Sequence, residues 1–268
     1  MPDITELVKN WWKKMLAVVV LSIAVVGVIT FLKPRLYLSV ATAVPASSVA
    51  ADKSKIFNEN IQVLYSSLGS TDDLDLVVGT ANLDTVYLAV TDEFNLFDHY
   101  KMDDTSSTTR TKAAARLRGN SKVMKSEYGE LKVKVWDTDK GLAPQLANAI
   151  MNKLQRIHEN LQGTGNEAAL KGLVAGKQKL QQQLDSTGND LPERKNLLQN
   201  QVLQYDVLIG EYQLMVDSKP PVLITVEDAR PAARPDKPRR LQVMTATAVL
   251  SFLFALFAAL LMERRKTT

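Results

Sequence analysis

The sequence predicts an α+β membrane protein in which two transmembrane helices bracket an α/β base domain carrying a long helical hairpin. Three observations lead there. Met15 to Leu32 is an apolar run near one end, and Leu241 to Met262 is an uncharged apolar span near the other. The segment between them, 33–240, is long enough for one domain with its own core. Within it, alternating strand patterns give way to apolar residues that recur every three or four positions.

The first span is Val-rich and at the short end of the roughly 20 residues needed to cross a bilayer core of about 30 Å. Lys13 and Lys14 precede it, Lys33 and Arg35 follow it, and Trp11 and Trp12 stand where interfacial anchors are expected. An uncleaved anchor fits better than a signal peptide. The run exceeds an h-region of roughly 7–15 residues, and Lys33, Pro34 and Arg35 separate it from the cleavage-like Ala41-Thr42-Ala43. Two spans put both termini on one side of the membrane. Charge does not choose the side: Lys9, Lys13, Lys14, Arg264, Arg265 and Lys266 lie outside the bracket, against Lys33, Arg35 and five basic residues from Arg230 to Arg240 within it.

The domain opens with a strand from Leu36 to Val44, closed by Pro45. Ile56 to Leu68 reads as a helix with Ile56, Phe57, Ile61, Leu64, Tyr65 and Leu68 on one face. Thr71-Asp72-Asp73 caps a second helix that ends near Asn82, and Asp92 to Tyr100 adds a turn or two. Lys122 to Tyr128 and Leu131 to Val135 form a β-hairpin around Gly129-Glu130, with Leu131, Val133 and Val135 on the buried face.

Pro144 fits the first turn of a long helix. Leu142, Leu146, Ile150, Leu154, Ile157 and Leu161 make a narrow apolar seam on it, and Gly163-Thr164-Gly165 interrupts it. Weaker helix continues through Leu170, Leu173, Leu180 and Leu184 to a turn at Ser186–Asp190. Pro192 starts a return helix whose seam is Leu198, Val202, Tyr205, Ile209, Tyr212 and Val216, stopped by Pro220-Pro221. The long helices thus occupy about 141–217. A final strand, Val222 to Val226, leads into the basic, proline-rich segment 230–240 and the second span. Its prolines fix φ and remove donors, which makes a stiff extended connector. Narrow stripes of this kind favour self-association of the hairpin, with a monomeric helical hairpin as the alternative.

Several functions are disfavoured. The formal net charge is +4, concentrated beside the spans, where contact with lipid headgroups accounts for it. No aromatic-basic alternation suggests nucleic acid. The chain has no cysteine, which excludes disulfides and thiolate chemistry. His99 and His158 are far apart, and His158 reads as an exposed or seam-edge residue. Asp72, Asp73 and Asp75 lack the spacing of a calcium loop, and Asp137 and Asp139 read as a turn and cap. No catalytic residue, cofactor or metal is expected.

Three pieces together resemble the Wzz-type chain-length determinants, or polysaccharide co-polymerases. They are the terminal pair of spans, the stretch from Val133 to Ile150, and the strand with Pro231, Pro235 and Pro238 before the last span. The middle stretch is similar to the family's strand, acidic turn at Asp137-Thr138-Asp139 and helix start with Asn148 in its second turn. The resemblance covers about half the chain. It implies a bacterial inner-membrane protein: 1–14 cytoplasmic, 15–32 and 241–262 transmembrane, 33–240 periplasmic, 263–268 a cytoplasmic tail. It further implies a homo-oligomeric ring that works with a separate membrane polymerase, and with the growing glycan, to set the length of O-antigen-like polysaccharide without covalent chemistry. Pro231, Pro235, Pro238, Asp139 and Asn148, with the seam residues Leu154, Ile157 and Leu161, are the candidate structural or partner-contact positions. The middle segment is short for the family's O-antigen members, and the tail of six residues leaves no room for a fused kinase. Two other readings remain open: an adaptor that activates a separate tyrosine kinase in capsule or exopolysaccharide export, and a secretion or scaffold protein without a glycan role.

Overall fold

The computed structural model describes residues 4–46, 71–102, 106–186 and 192–266. The helix expected over Ile56–Leu68 and the turn after Ser186 lie outside these residues. The element order is α1 (Ile4–Leu32), β1 (Tyr37–Pro45), α2 (Thr71–Thr80), α3 (Asp84–Glu93), α4 (Leu96–His99), α5 (Ser107–Gly119), β2 (Ser121–Lys125), β3 (Leu131–Asp137), α6 (Leu142–Ser186), α7 (Pro192–Ser218), β4 (Leu223–Glu227) and α8 (Arg240–Lys266). The chain divides into two compact units: Met1–Leu38, Trp136–Ala143 and Pro231–Thr268 form the first, and Ser39–Val135 with Pro144–Arg230 the second.

The first unit holds both apolar helices. Trp11–Leu32 and Arg240–Glu263 are long and apolar enough to cross a membrane, and most of that surface is exposed. Such a surface suits a lipid solvent rather than water. α1 meets α8 through Trp11, Met15, Ala255 and Ala259, where small residues let the helices approach. The Trp11 indole donates to Glu263 at 3.0 Å. Polar side chains within the spans bond their own helix: Thr30 donates to Val26 O, Thr247 to Val243 O and Ser251 to Ala248 O. No donor is thereby left for the hydrocarbon to satisfy at these positions.

The second unit is built on a sheet of order β2-β3-β1-β4. β4 pairs antiparallel with β1 in the register Ala43↔Thr225 and Pro45↔Leu223, so the first and last strands are neighbours. β2 and β3 form the hairpin in the register Val123↔Val133. Its first strand stops at Lys125 rather than Tyr128, because Ser126 accepts from the Tyr128 and Glu130 amides and Gly129 turns the chain at φ 76°. Leu131, Val133 and Val135 are fully buried, as are Val86 and Val90 of α3, Leu117 of α5, and Leu146, Ile150 and Leu154 of α6.

Several expectations need correction. Residues 84–91 and 107–119, for which the sequence pattern gives no element, belong to the helices α3 and α5. The first is rich in β-branched residues and the second in Ala, Thr and Arg, so neither carries a strong 3.6-residue period. Ser106 caps α5 by accepting from the Thr109 amide, and the Arg110 guanidinium on α5 holds the Asp92 carboxyl of α3 below the usual carboxylate range. The expected helix over Asp92–Tyr100 is instead the end of α3 and the short α4, separated by Asn95 at φ 46°. Thr71-Asp72-Asp73 forms the first turn of α2 rather than preceding it, and α2 ends at Thr80.

The early seam of α6 is wide rather than narrow: Ala143, Ala147 and Met151 are buried beside Leu146, Ile150 and Leu154. His158 continues the same row, four residues beyond Leu154, and is only 6% exposed. Gly163-Thr164-Gly165 does not interrupt α6, which runs unbroken for 45 residues, on the order of 65 Å at about 1.5 Å per residue. A glycine costs a helix only about 0.5–1 kcal/mol relative to alanine, too little to break a helix supported on both sides.

The glycines of α6 are not equivalent. A Cβ on Gly163 or Gly165 would meet nothing within 4 Å, whereas one on Gly176 would lie 2.7 Å from Tyr205 Cε1 of α7. Gly163→Ala with Gly165→Ala is therefore expected to stabilise the hairpin by about 1–2 kcal/mol, and Gly176→Ala to destabilise it by about 1–3 kcal/mol. Thermal unfolding in detergent checks the opposite signs.

Candidate functional site

The proline-rich segment carries cations and few donors, so its conformation depends on partners supplied by other elements. Two places provide them. In the second unit, the Ala229 amide donates to Asn148 Oδ1 of α6 at 2.8 Å, and the Ser39 hydroxyl of β1 donates to Arg230 O at 2.9 Å. Ala229 and Ser39 are both buried. Without Asn148 the Ala229 amide would lack its partner, at a cost of about 1–3 kcal/mol.

In the first unit, the residue after Pro235 is the centre. Asp236 accepts from the Trp136 indole at 2.8 Å and from Arg239 at 3.0 Å. Its own amide donates to Leu36 O at 2.9 Å, and the Leu36 amide returns a bond to Lys237 O at 2.9 Å. The Lys237 ammonium lies 3.8 Å from the Trp136 ring centroid, a cation–π contact. A lone acid in a basic run is thereby clamped to the end of β3 and to the chain that leaves α1.

The Trp136 indole first, and then the Arg239 guanidinium, hold the Asp236 carboxyl below the usual carboxylate range. The depressed value means that its contribution is present above the unfolded pKa and is lost as pH falls through the folded one. Asp236→Ala is expected to speed exchange of the Asp236 and Lys237 backbone amides roughly 5–30-fold, a loss of about 1–2 kcal/mol. In the unsubstituted chain, protection corrected for intrinsic rates should persist from neutral pH into the mildly acidic range and decline only below the ordinary carboxylate range. Exchange measured by mass spectrometry gives both results.

Asp139 lies in the first unit with Pro231, Pro235 and Pro238. Its Oδ1 accepts from the Gly141 amide at 2.7 Å and the Leu142 amide at 3.4 Å, while buried Asp137 accepts from the Asp139 amide at 2.8 Å. These bonds satisfy free donors at the start of α6. Asn148, Leu154, Ile157 and Leu161 lie in the second unit and do not share one environment: Leu154 is fully buried, Ile157 half-buried and Leu161 59% exposed. Among the described residues, no group of three or more His, Asp or Glu could hold a metal ion. Trp136, Asp236 and Leu36 are not among the candidate contact positions read from the sequence. The signals that point to them are the single acid between Arg230 and Arg240 and the only tryptophan outside the first twelve residues.

No family model matches the chain, and no curated protein matches it. Among solved structures, the chain is similar to a full-length bacterial polysaccharide co-polymerase at 12% identity and a TM-score of 0.42, covering 100% of this chain and 98% of that one. It is also similar to a fragment of WzzB, a polysaccharide co-polymerase from Salmonella Typhimurium, at 15% identity and a TM-score of 0.37, covering 76% of this chain and 100% of that one.

Proposed function

We propose that this chain is a non-enzymatic, oligomeric membrane protein that regulates the length of an O-antigen-like surface polysaccharide together with a separate polymerase. It sits in a bacterial inner membrane with both termini cytoplasmic and the segment 33–240 periplasmic. The observation that carries the reading is the fastening of the proline segment: Asn148 and Ser39 hold its entry, and Trp136, Leu36 and Asp236 hold its exit into α8. Within the first unit, a segment so fastened at its exit can present a defined surface to a membrane partner at low entropic cost. Pro231, Pro235 and Pro238 form the polymerase-facing surface in this proposal. An exposed apolar row on α7, Leu203, Val207 and Leu214, supports assembly of several copies.

Deleting the gene and resolving surface polysaccharide by size tests the function; an unchanged length distribution defeats it. A reporter fused at Ser186 tests the orientation, since it should be active only when the fusion point lies outside the cytoplasm.

A further inference from the structure

We propose that the start of α8 and the chain leaving α1 form a binding site for the phosphate of an anionic membrane lipid. Arg35, Lys237, Arg239 and Arg240 line an open cleft of about 440 Å³ together with Pro238 and Leu241. Asp236, paired with Arg239, is the only acid between Arg230 and Glu263. Among the described residues, Arg35 and Arg240 face the cleft without a carboxylate partner, while Lys237 shares the field of the Asp236 carboxyl with Arg239. Lys237 lies over the Trp136 ring and Arg240 over the Phe31 ring, contacts that orient their heads without neutralising them. Arg35 makes no ion pair among the described residues.

The position of the cleft selects the ligand. It lies where the span Arg240–Glu263 begins, and Leu32 and Leu241, 80% and 78% exposed, mark the adjoining apolar surface. A lipid phosphate sits at that boundary and its acyl chains run along the apolar helices, which a free phosphate does not use. The first turn of α8 has no acidic residue, and its arginines occupy the end of the helix dipole that favours an anion. A phosphodiester relieves this repulsion while pairing the cleft's cations. The inference rests on the two apolar helices crossing a bilayer and is independent of any role in polysaccharide length.

Native mass spectrometry of the delipidated full chain tests the site by titration with phosphatidylglycerol, phosphatidylcholine or inorganic phosphate. The first phosphatidylglycerol per protomer should bind about tenfold more tightly than phosphatidylcholine, and millimolar inorganic phosphate should not displace it. Arg239→Gln with Arg240→Gln should bring the two lipids within about twofold, whereas Arg239→Lys with Arg240→Lys, or Lys13→Gln with Lys14→Gln, should keep the preference. Should the double glutamine variant fail to fold, Arg35→Gln alone should weaken phosphatidylglycerol about threefold or more. Equal binding of both lipids by the unsubstituted chain overturns the proposal. A tenfold preference retained in the folded double glutamine variant, or phosphatidylglycerol affinity unchanged in Arg35→Gln, overturns it as well, and so does displacement by inorganic phosphate. None of these results bears on the polysaccharide assay.

Discussion

Replacing Leu203 and Leu214 with glutamate is expected to convert the detergent-solubilised assembly into monomers while leaving the helical content unchanged. On α7 the residues Leu198, Val202, Tyr205, Ile209, Tyr212 and Val216 form one row, and Leu198 is buried in it. Leu203, Val207, Gly210 and Leu214 recur at spacings of four, three and four on nearly the opposite face. Leu203 is 62% exposed, and Val207 and Leu214 are each 55% exposed. Burying each such side chain against a second copy is worth about 1.5–3 kcal/mol, and an unpaired glutamate placed there adds a desolvation cost. Two substitutions per protomer therefore weaken association by a factor on the order of a thousand or more. Light scattering gives the mass and far-ultraviolet circular dichroism the helix content. An unchanged mass would show that this row is not the interface, and a monomeric unsubstituted chain would remove the assembly altogether.

The second large effect lies in the core and separates residues that share one sequence pattern. Leu154→Ala is expected to destabilise the second unit by about 2–5 kcal/mol, because Leu154 is fully buried beside Ile150 and Met151. Leu161→Ala, seven residues later in the same row, should change stability by less than about 0.5 kcal/mol, since Leu161 is largely exposed. Denaturation followed by circular dichroism distinguishes them. Equal losses would mean that the seam is buried along its whole length, as a hairpin core or a protomer interface requires. The contrast assigns the first three turns of α6 to the base and leaves the later turns to the hairpin.

The elements legible in the sequence are those whose signal is composition or strict period. The spans announce themselves by length and lack of charge, β3 by the alternation of Leu131, Val133 and Val135, and α7 by its seam and by Pro192 and Pro220 at its ends. α3 and α5 escaped because β-branched and Ala-rich segments carry weak helical periodicity, and the tertiary core decides their state. The pair Gly163 and Gly165 overstated a break because propensity costs are small against the support of 45 continuous residues.

The site divides in the same way. Asp139 is legible as a local cap, since its partners lie within three residues. Asn148 was legible only as a position, because its partner at Ala229 is 81 residues away. The contact between Trp136 and Asp236 spans 100 residues and depends on strand placement that no local pattern encodes. What the prolines signalled was stiffness; what they are fastened to required the fold.

The central claim is a role in setting polysaccharide length, and the most direct measurement is the size distribution of surface polysaccharide in a deletion strain before and after the gene is returned. The account predicts that deletion replaces a preferred length with an unregulated distribution, and that the unsubstituted gene restores the preferred length while the Leu203→Glu/Leu214→Glu gene does not. An identical distribution with and without the gene would contradict it.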